Sequence, residues 1–316
     1  MKTLRIAFIG GGRMALRQAS ALLAAGFPQK GFVAVYDREL SVARAFADRF
    51  GAEPRVSSRA ALQAATHAVI ATSAAAHAPE AIEALTMRRG VFVEKPLALT
   101  LRAGAALTIL ADRLNLPLHV GLSERFHPVV QALVADLDGQ AIESFHAVRC
   151  LPAMRARDCS VGLNLAIHDF DLALEITRSR LTVDAASTRC SRNRFHAQLR
   201  GHRGETIAVT AADGVEAASR TLTVNAGEAR YEGDLLAGTL HKIVDGQSIS
   251  IPVADADGLA SQAAALLAVW TGQSLVGPAT ALDAFRGLAL LARATRLDAT
   301  KGALAPGNLP QSRTLG

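Results

Sequence analysis

Over its first 120 residues the chain alternates between short apolar runs and longer stretches with helical spacing. Runs at 5–9, 32–36, 68–71, 91–93 and 118–120 read as strands buried on both faces. Between them, 14–25, 40–50, 79–88 and 101–114 place apolar residues three and four positions apart, the spacing of a helix packed on one side. This alternation predicts a parallel sheet with right-handed crossovers, a doubly wound α/β domain over residues 1–120.

After Gly121 the pattern changes. A helix is expected from Pro128, a strand at 142–150 and a helix at 162–177. Segments at 182–189, 206–210, 219–225, 239–244 and 248–253 alternate with period two, and Asp213-Gly214 and Asp245-Gly246 supply turn signals. Helices at 259–271 and 279–294 follow. Residues 121–300 are therefore expected to form an α+β domain with a largely antiparallel, open sheet. Residues 301–316 are expected to be a loose tail.

Composition narrows the class. Half of the 316 residues are hydrophobic, which excludes a disordered or fibrous chain. No apolar run approaches the roughly 20 residues that span a bilayer, so a soluble protein is expected. The apolar stretch at 4–9 is too short for a signal peptide and ends in Gly10-Gly11-Gly12. Three cysteines with no C-x-x-C pair fit a reduced cytoplasm and predict neither disulfide nor metal site.

The formal charge of +6 is unevenly spread: residues 149–203 hold ten arginines against five acids. Aromatics are too few there for base stacking and no recognition motif accompanies the charge, so nucleic acid is not an expected partner. Arginine forks suit phosphate or carboxylate, although an arginine-rich composition kept for solubility would look the same.

Residues 6–15, Ile-Ala-Phe-Ile-Gly-Gly-Gly-Arg-Met-Ala, read as strand, glycine turn and helix start, and fit G-x-G-x-x-A. Gly10 permits the tight turn, Gly12 lets a pyrophosphate approach the backbone, and Ala15 lets the helix pack closely. The pyrophosphate would sit on the N–H groups of Arg13 and Met14 at the helix start. The second strand ends in Tyr36-Asp37, and a carboxylate there suits the ribose of NAD. Arg38 keeps NADP open, since it could meet a 2′-phosphate.

Three further segments carry chemistry. The strand at 68–71 runs into Thr72-Ser73 with His77 following. The next strand ends in Glu94-Lys95-Pro96, where proline forces the chain to turn and presents Lys95 at the ligand-binding edge. On the helix at 162–177, Asn164, His168 and Asp171 are spaced to share one face.

Together these segments resemble the glucose–fructose oxidoreductase / inositol dehydrogenase / MocA (Gfo/Idh/MocA) family, and the resemblance continues through Gly121-Leu122-Ser123-Glu124-Arg125-Phe126-His127-Pro128. It implies a Rossmann domain that binds NAD(P) through Gly10, Gly12, Arg13, Met14, Asp37, Arg38, Thr72, Ser73, His77, Glu94 and Lys95. It implies catalysis by Lys95 and His168 with Asn164, and substrate contacts from Lys95, Arg125, Asn164 and His168. Asn164 departs from the aspartate common in the family, and an amide orients a hydroxyl but takes no proton.

The wording around His168 is similar to members that oxidise nucleotide sugars, such as UDP-N-acetylglucosamine 3-dehydrogenases. The expected activity is therefore NAD-dependent oxidation of a ring hydroxyl, with C3 of UDP-N-acetylglucosamine as the specific expectation. Arg155, Arg157 or the arginines of 178–203 would serve the diphosphate. A dehydrogenase of free sugars or inositol, and a non-catalytic NAD(P) sensor, remain alternatives. The resemblance also implies a cytoplasmic homodimer or homotetramer assembled through the second sheet.

Overall fold

The computed structural model describes residues 3–152, 159–191 and 193–303. Its first half builds strands β1 (Ile6–Ile9), β2 (Phe32–Tyr36), β3 (Glu53–Pro54), β4 (His67–Ile70), β5 (Gly90–Val93) and β6 (Leu118–Val120). They form one parallel sheet in the order β3-β2-β1-β4-β5-β6, the doubly wound arrangement with its switch point between β1 and β4. Helices α1 (Arg13–Ala24), α2 (Leu40–Phe50), α3 (Ser58–Ala64), α4 (Ala74–Thr86) and α5 (Leu101–Leu114) connect them.

The apolar runs have no polar face because the sheet is covered twice. Ile6 and Phe8 point into a cluster with Phe32, Phe46 and Phe50, while Ala7 and Ile9 point into another with Leu62, Ile70 and Leu85. Three elements of this half depart from the sequence expectation. β3 and α3 are too short to show a period, although Ser57 caps α3 by accepting the Ala60 N–H at 3.1 Å. Helix α4 begins at Ala74, so Pro79 lies inside it rather than opening it.

The second half contributes α6 (Pro128–Leu137), β7 (Ser144–Leu151), a π-helical turn at Gly162–Ala166, α7 (Ile167–Thr177), β8 (Leu181–Cys190), β9 (Arg194–Gly201), β10 (Thr206–Asp213), β11 (Ser219–Ala226), β12 (Ala229–Asp234), β13 (Thr239–Val244) and β14 (Gln247–Ile251). The eight strands form a second sheet in the order β14-β13-β12-β11-β7-β10-β9-β8. It is antiparallel except where β10 runs parallel to β7.

Helix α8 (Gly258–Trp270) returns to pack on α1, and α9 (Ala281–Ala303) packs on α5 and α7. The expected tail is thus helical through Ala303; its remainder, 304–316, lies outside the described residues. The loop between α8 and α9 closes the β6 edge: Val120 N–H donates to Ala279 O at 2.8 Å. Among the described residues no helix is long and apolar enough to cross a membrane, and Cys150, Cys159 and Cys190 are not joined in disulfides.

Candidate active site

The β1–α1 turn is built as the glycines require. Gly10 has φ +92°, and a Cβ there would lie 2.7 Å from Ala71 O. A Cβ on Gly12 would meet nothing within 4 Å, so the space above it is open. No side chain caps α1, which leaves its first N–H groups available to an anion. Asp37 is fixed at the end of β2: Oδ2 accepts the Gly11 N–H at 2.9 Å and Oδ1 the Glu39 N–H at 3.0 Å. Gly10, Gly12, Asp37, Arg38, Thr72 and Ser73 line one groove of about 390 Å³.

A second cavity, of about 540 Å³, opens beside it at the carboxyl edge of the sheet. Arg13, Met14, Thr72, His77, Glu94, Lys95, Asn164 and His168 all line it. Thr72 borders both spaces, and its Oγ1 is buried with no partner among the described residues. The open space over Gly12, the uncapped helix start, the Asp37 carboxylate and this orphan hydroxyl together fit a dinucleotide lying across the switch point.

Glu94 and His77 shape the turn that presents Lys95. Glu94 is buried and accepts the Gln18 Nε2–H at 2.6 Å; burial raises its pKa against the pull of Gln18 and Lys95. The ring nitrogens of buried His77 lie 2.8 Å from Pro96 O and 3.2 Å from Thr72 O, tying α4 to both strand ends.

Lys95 and the helix of the second half meet in this cavity. Lys95 Nζ donates to Asn164 O and to Asn164 Oδ1, each at 2.9 Å. Asn164 sits in the π-helical turn and His168 in the first turn of α7; such turns recur at functional sites. His168 is only 7% exposed and its Nδ1 has no partner among the described residues. Burial first, then Lys95 and Arg149, lower its pKa well below the usual 6.5, so the imidazole is neutral at pH 7.

The other members of the predicted set go elsewhere. Asp171 does not join the cavity face: Arg125 Nε and Nη2 grip its two oxygens at 2.8 and 2.6 Å. Arg125 also lies 3.0 Å from Glu175. It is not among the residues lining the cavity, so its expected substrate contact is corrected to an ion pair between the 3-10 turn Ser123–Phe126 and α7. Arg178 and Arg203 line a separate cleft near α6. Arg155 and Arg157 lie outside the described residues.

Sequence reasoning missed a charged wall of the same cavity. Glu124 lies 3.3 Å from Arg149 and is hydrogen-bonded to Arg220, while Arg149 Nη2 donates to Asp169 Oδ1 at 2.8 Å. Despite its burial, the two guanidinium groups hold Glu124 far below the usual carboxylate range. The register pairs Arg149 of β7 with Arg220 of β11; adjacent arginines at paired strand positions were the available signal.

A family model described as an oxidoreductase family with an NAD-binding Rossmann fold, GFO_IDH_MocA, matches residues 4–122. Over those residues the chain resembles the Gfo/Idh/MocA oxidoreductases. The matched residues include the turn built by Gly10 and Gly12. A sequence search of curated proteins finds no match.

Solved structures extend the likeness to the whole fold. UDP-N-acetylglucosamine 3-dehydrogenase GnnA from Acidithiobacillus ferrooxidans superposes with TM-score 0.84 at 23% identity, covering 95% of this chain and 99% of that one. A levoglucosan dehydrogenase in complex with NADH gives 0.81 at 16% identity, with 94% and 97% covered. A biliverdin reductase from Synechocystis, in complex with biliverdin and NADP+, gives 0.78 at 20% identity, with 93% and 98% covered. The last is a reminder that the fold alone does not choose the substrate.

Proposed function

We propose that the protein oxidises a ring hydroxyl of a nucleotide sugar to a ketone with NAD, with C3 of UDP-N-acetylglucosamine as the specific substrate position. The observation that carries the reading is the convergence of Lys95, Asn164 and neutral His168 on one cavity that adjoins the NAD turn. The likeness to GnnA over nearly both full chains supports the choice of substrate. Asp37 supports NAD, while Arg38 in the same groove keeps NADP as the alternative. Residues 1–120 would carry the cofactor, and 121–300 the substrate and a homo-oligomer contact through the second sheet. A cytoplasmic location completes this reading and suits three cysteines not joined in disulfides.

NAD, when bound, supplies the hydride acceptor. The chain's own groups manage the proton and the charge. His168, neutral and short of a partner at Nδ1, takes the hydroxyl proton. Lys95, oriented by Asn164, lays its donor and its positive charge beside the oxygen as negative charge develops there. A positioned base of this kind contributes about 10²–10⁴-fold. The walls of Arg149, Glu124 and Arg220 fix the local field before substrate arrives.

The test is NADH formation with UDP-N-acetylglucosamine, glucose and myo-inositol, using the wild type and Lys95→Ala. Turnover of the first alone, lost in a folded Lys95→Ala variant, is the expected result. Turnover of only a free sugar or inositol refutes the nucleotide-sugar assignment. NAD binding with no turnover of any hydroxylated substrate points to a sensor.

A further inference from the structure

Two grooves leave the reaction cavity. One passes Thr72 to Asp37 and is taken by the adenosine half of the cofactor. The other crosses α1: Arg13, Arg17, Asp257 and Leu259 line both the reaction cavity and an adjoining groove of about 490 Å³, which ends at Arg49 of α2. Of the residues that the family resemblance assigns to the cofactor, only Arg13 lines this second groove.

Its charge is set by three arginines, Arg13, Arg17 and Arg49. Arg125, Arg149 and Arg220 are each paired with buried carboxylates. Arg13, Arg17 and Arg49 are exposed and, among the described residues, make no ion pair. Arg17 Nη1 reaches only Met14 Sδ at 4.0 Å, and Arg49 lies over the Phe50 ring. Of the nearby acids, Glu94 attracts Arg17 without forming an ion pair with it. Asp257 Oδ1 accepts the Leu259 N–H at 2.9 Å, and Glu94 is buried under Gln18.

Elementary electrostatics makes this arrangement costly without an anion. Arg13 and Arg17 stand four residues apart on α1, where like charges repel. Arg13, in the first turn of α1 where no acid stands, would be answered by the cofactor's pyrophosphate, so the groove's own anion would fall to Arg17 and Arg49. Guanidinium forks are suited to phosphate oxygens.

We propose that this groove holds the diphosphate of the substrate, so that Arg17 and Arg49, with Arg13 at the junction, select a nucleotide sugar over a free sugar. The sugar ring then lies against Lys95 and His168 while its diphosphate leads out over α1. The selecting arginines come from the cofactor-binding half of the chain, not from the arginine-rich middle. The inference rests on the nucleotide-sugar reading above.

The experiment uses the NAD-loaded enzyme and UDP as probe, by calorimetry, in the wild type, Arg17→Ala/Arg49→Ala and Arg17→Lys/Arg49→Lys. The expected result is at least a tenfold loss of UDP affinity in the alanine pair, partial recovery in the lysine pair, and an unchanged affinity for NAD. KM for UDP-N-acetylglucosamine rises by at least as much, and by more than kcat falls. Equal UDP affinity in wild type and alanine pair, or no UDP binding by the wild type, overturns the subsite. A loss of NAD affinity in step with UDP also overturns it, because the groove then serves the cofactor. Arginine-dependent UDP binding without oxidation of UDP-N-acetylglucosamine keeps the subsite and refutes the reaction; oxidation with UDP affinity untouched in the alanine pair refutes the subsite alone.

Discussion

Lys95 holds Asn164 at two points, its Nζ donating to the backbone carbonyl and to the side-chain Oδ1, each at 2.9 Å. The partner that family resemblance would make an aspartate is thus a neutral amide. No carboxylate charge at that position offsets the field that Lys95 lays on His168, and that field is the second cause, after burial, of the low pKa of the imidazole. Asn164→Asp keeps the shape and adds the charge. The His168 imidazole, followed by NMR, is expected to titrate at higher pH, because an opposite charge beside Lys95 cancels part of its repulsion. The acid limb of kcat/KM should move up by about one pH unit. An unmoved titration would remove Lys95 from the causes of the depression.

The two glycines of the β1–α1 turn should separate stability from cofactor binding. At Gly10 an alanine meets Ala71 O at 2.7 Å with φ at +92°, so Gly10→Ala is expected to cost about 1–2 kcal/mol or more in stability and to lower Tm. At Gly12 a Cβ meets no protein atom and φ is −74°. Gly12→Ala should leave Tm nearly unchanged, within about 0.5 kcal/mol, yet weaken NAD at least tenfold, because the methyl group enters the space left for the pyrophosphate. Thermal unfolding and NAD titration on the same samples decide it.

Glu94 gives a pH-dependent stability prediction. Its carboxyl is buried, accepts hydrogen bonds from the Gln18 side chain and the Lys95 backbone N–H, and has a raised pKa whose largest cause is desolvation. The folded state therefore holds a proton more tightly than the unfolded chain. The resulting penalty is absent at pH values well below 4.5 and grows as pH rises above 4.5. Glu94→Gln keeps the acceptor for Gln18 and removes the charge. It should match the wild type at acid pH and exceed it in Tm at neutral pH; a variant less stable at neutral pH would contradict the sign.

What the sequence revealed, and what it hid, follow from the range of the interactions. The doubly wound half was legible because its strands are covered on both faces and leave unbroken apolar runs, as Ile6 to Ile9 do. Strand β9 was passed over although Phe195, Ala197 and Leu199 alternate inward between Arg194, His196, Gln198 and Arg200, the period-two pattern of a strand. Lys95, Asn164 and His168 stood out because each lies in a short local motif. Glu124, Arg149, Asp169 and Arg220 did not. They come from four separate elements, and only the packing of the Ser123–Phe126 turn and α7 against β7 and β11 brings them together. The π-helical turn at Gly162–Ala166 likewise leaves no periodicity signal, yet Asp171 beyond it turns to Arg125 while Asn164 and His168 line the cavity.

Glu124 supplies the counterweight to Lys95. It is the carboxylate shared by Arg149 and Arg220, and it raises the His168 pKa that Lys95, Arg149 and Arg220 lower. Its own pKa is depressed, so its stabilising effect is present above 4.5 and is lost as pH falls below that value. Glu124→Gln leaves Arg220 without its carboxylate and Arg149 with Asp169 alone. Removing one partner of such a buried pair costs roughly 3 kcal/mol, which for a chain of this size lowers Tm on the order of 10 °C. The deficit relative to wild type should shrink toward acid pH, where the wild-type carboxyl is also neutral. The variant carries a second, independent sign. With Glu124 gone, His168 is exposed to an uncompensated positive field, and its titration should move to lower pH, opposite to the shift expected of Asn164→Asp. Two charge changes of one unit, one adding a negative charge beside Lys95 and the other removing one beside Arg149, must therefore displace the same imidazole in opposite directions; no displacement in either variant would mean that burial alone sets its pKa.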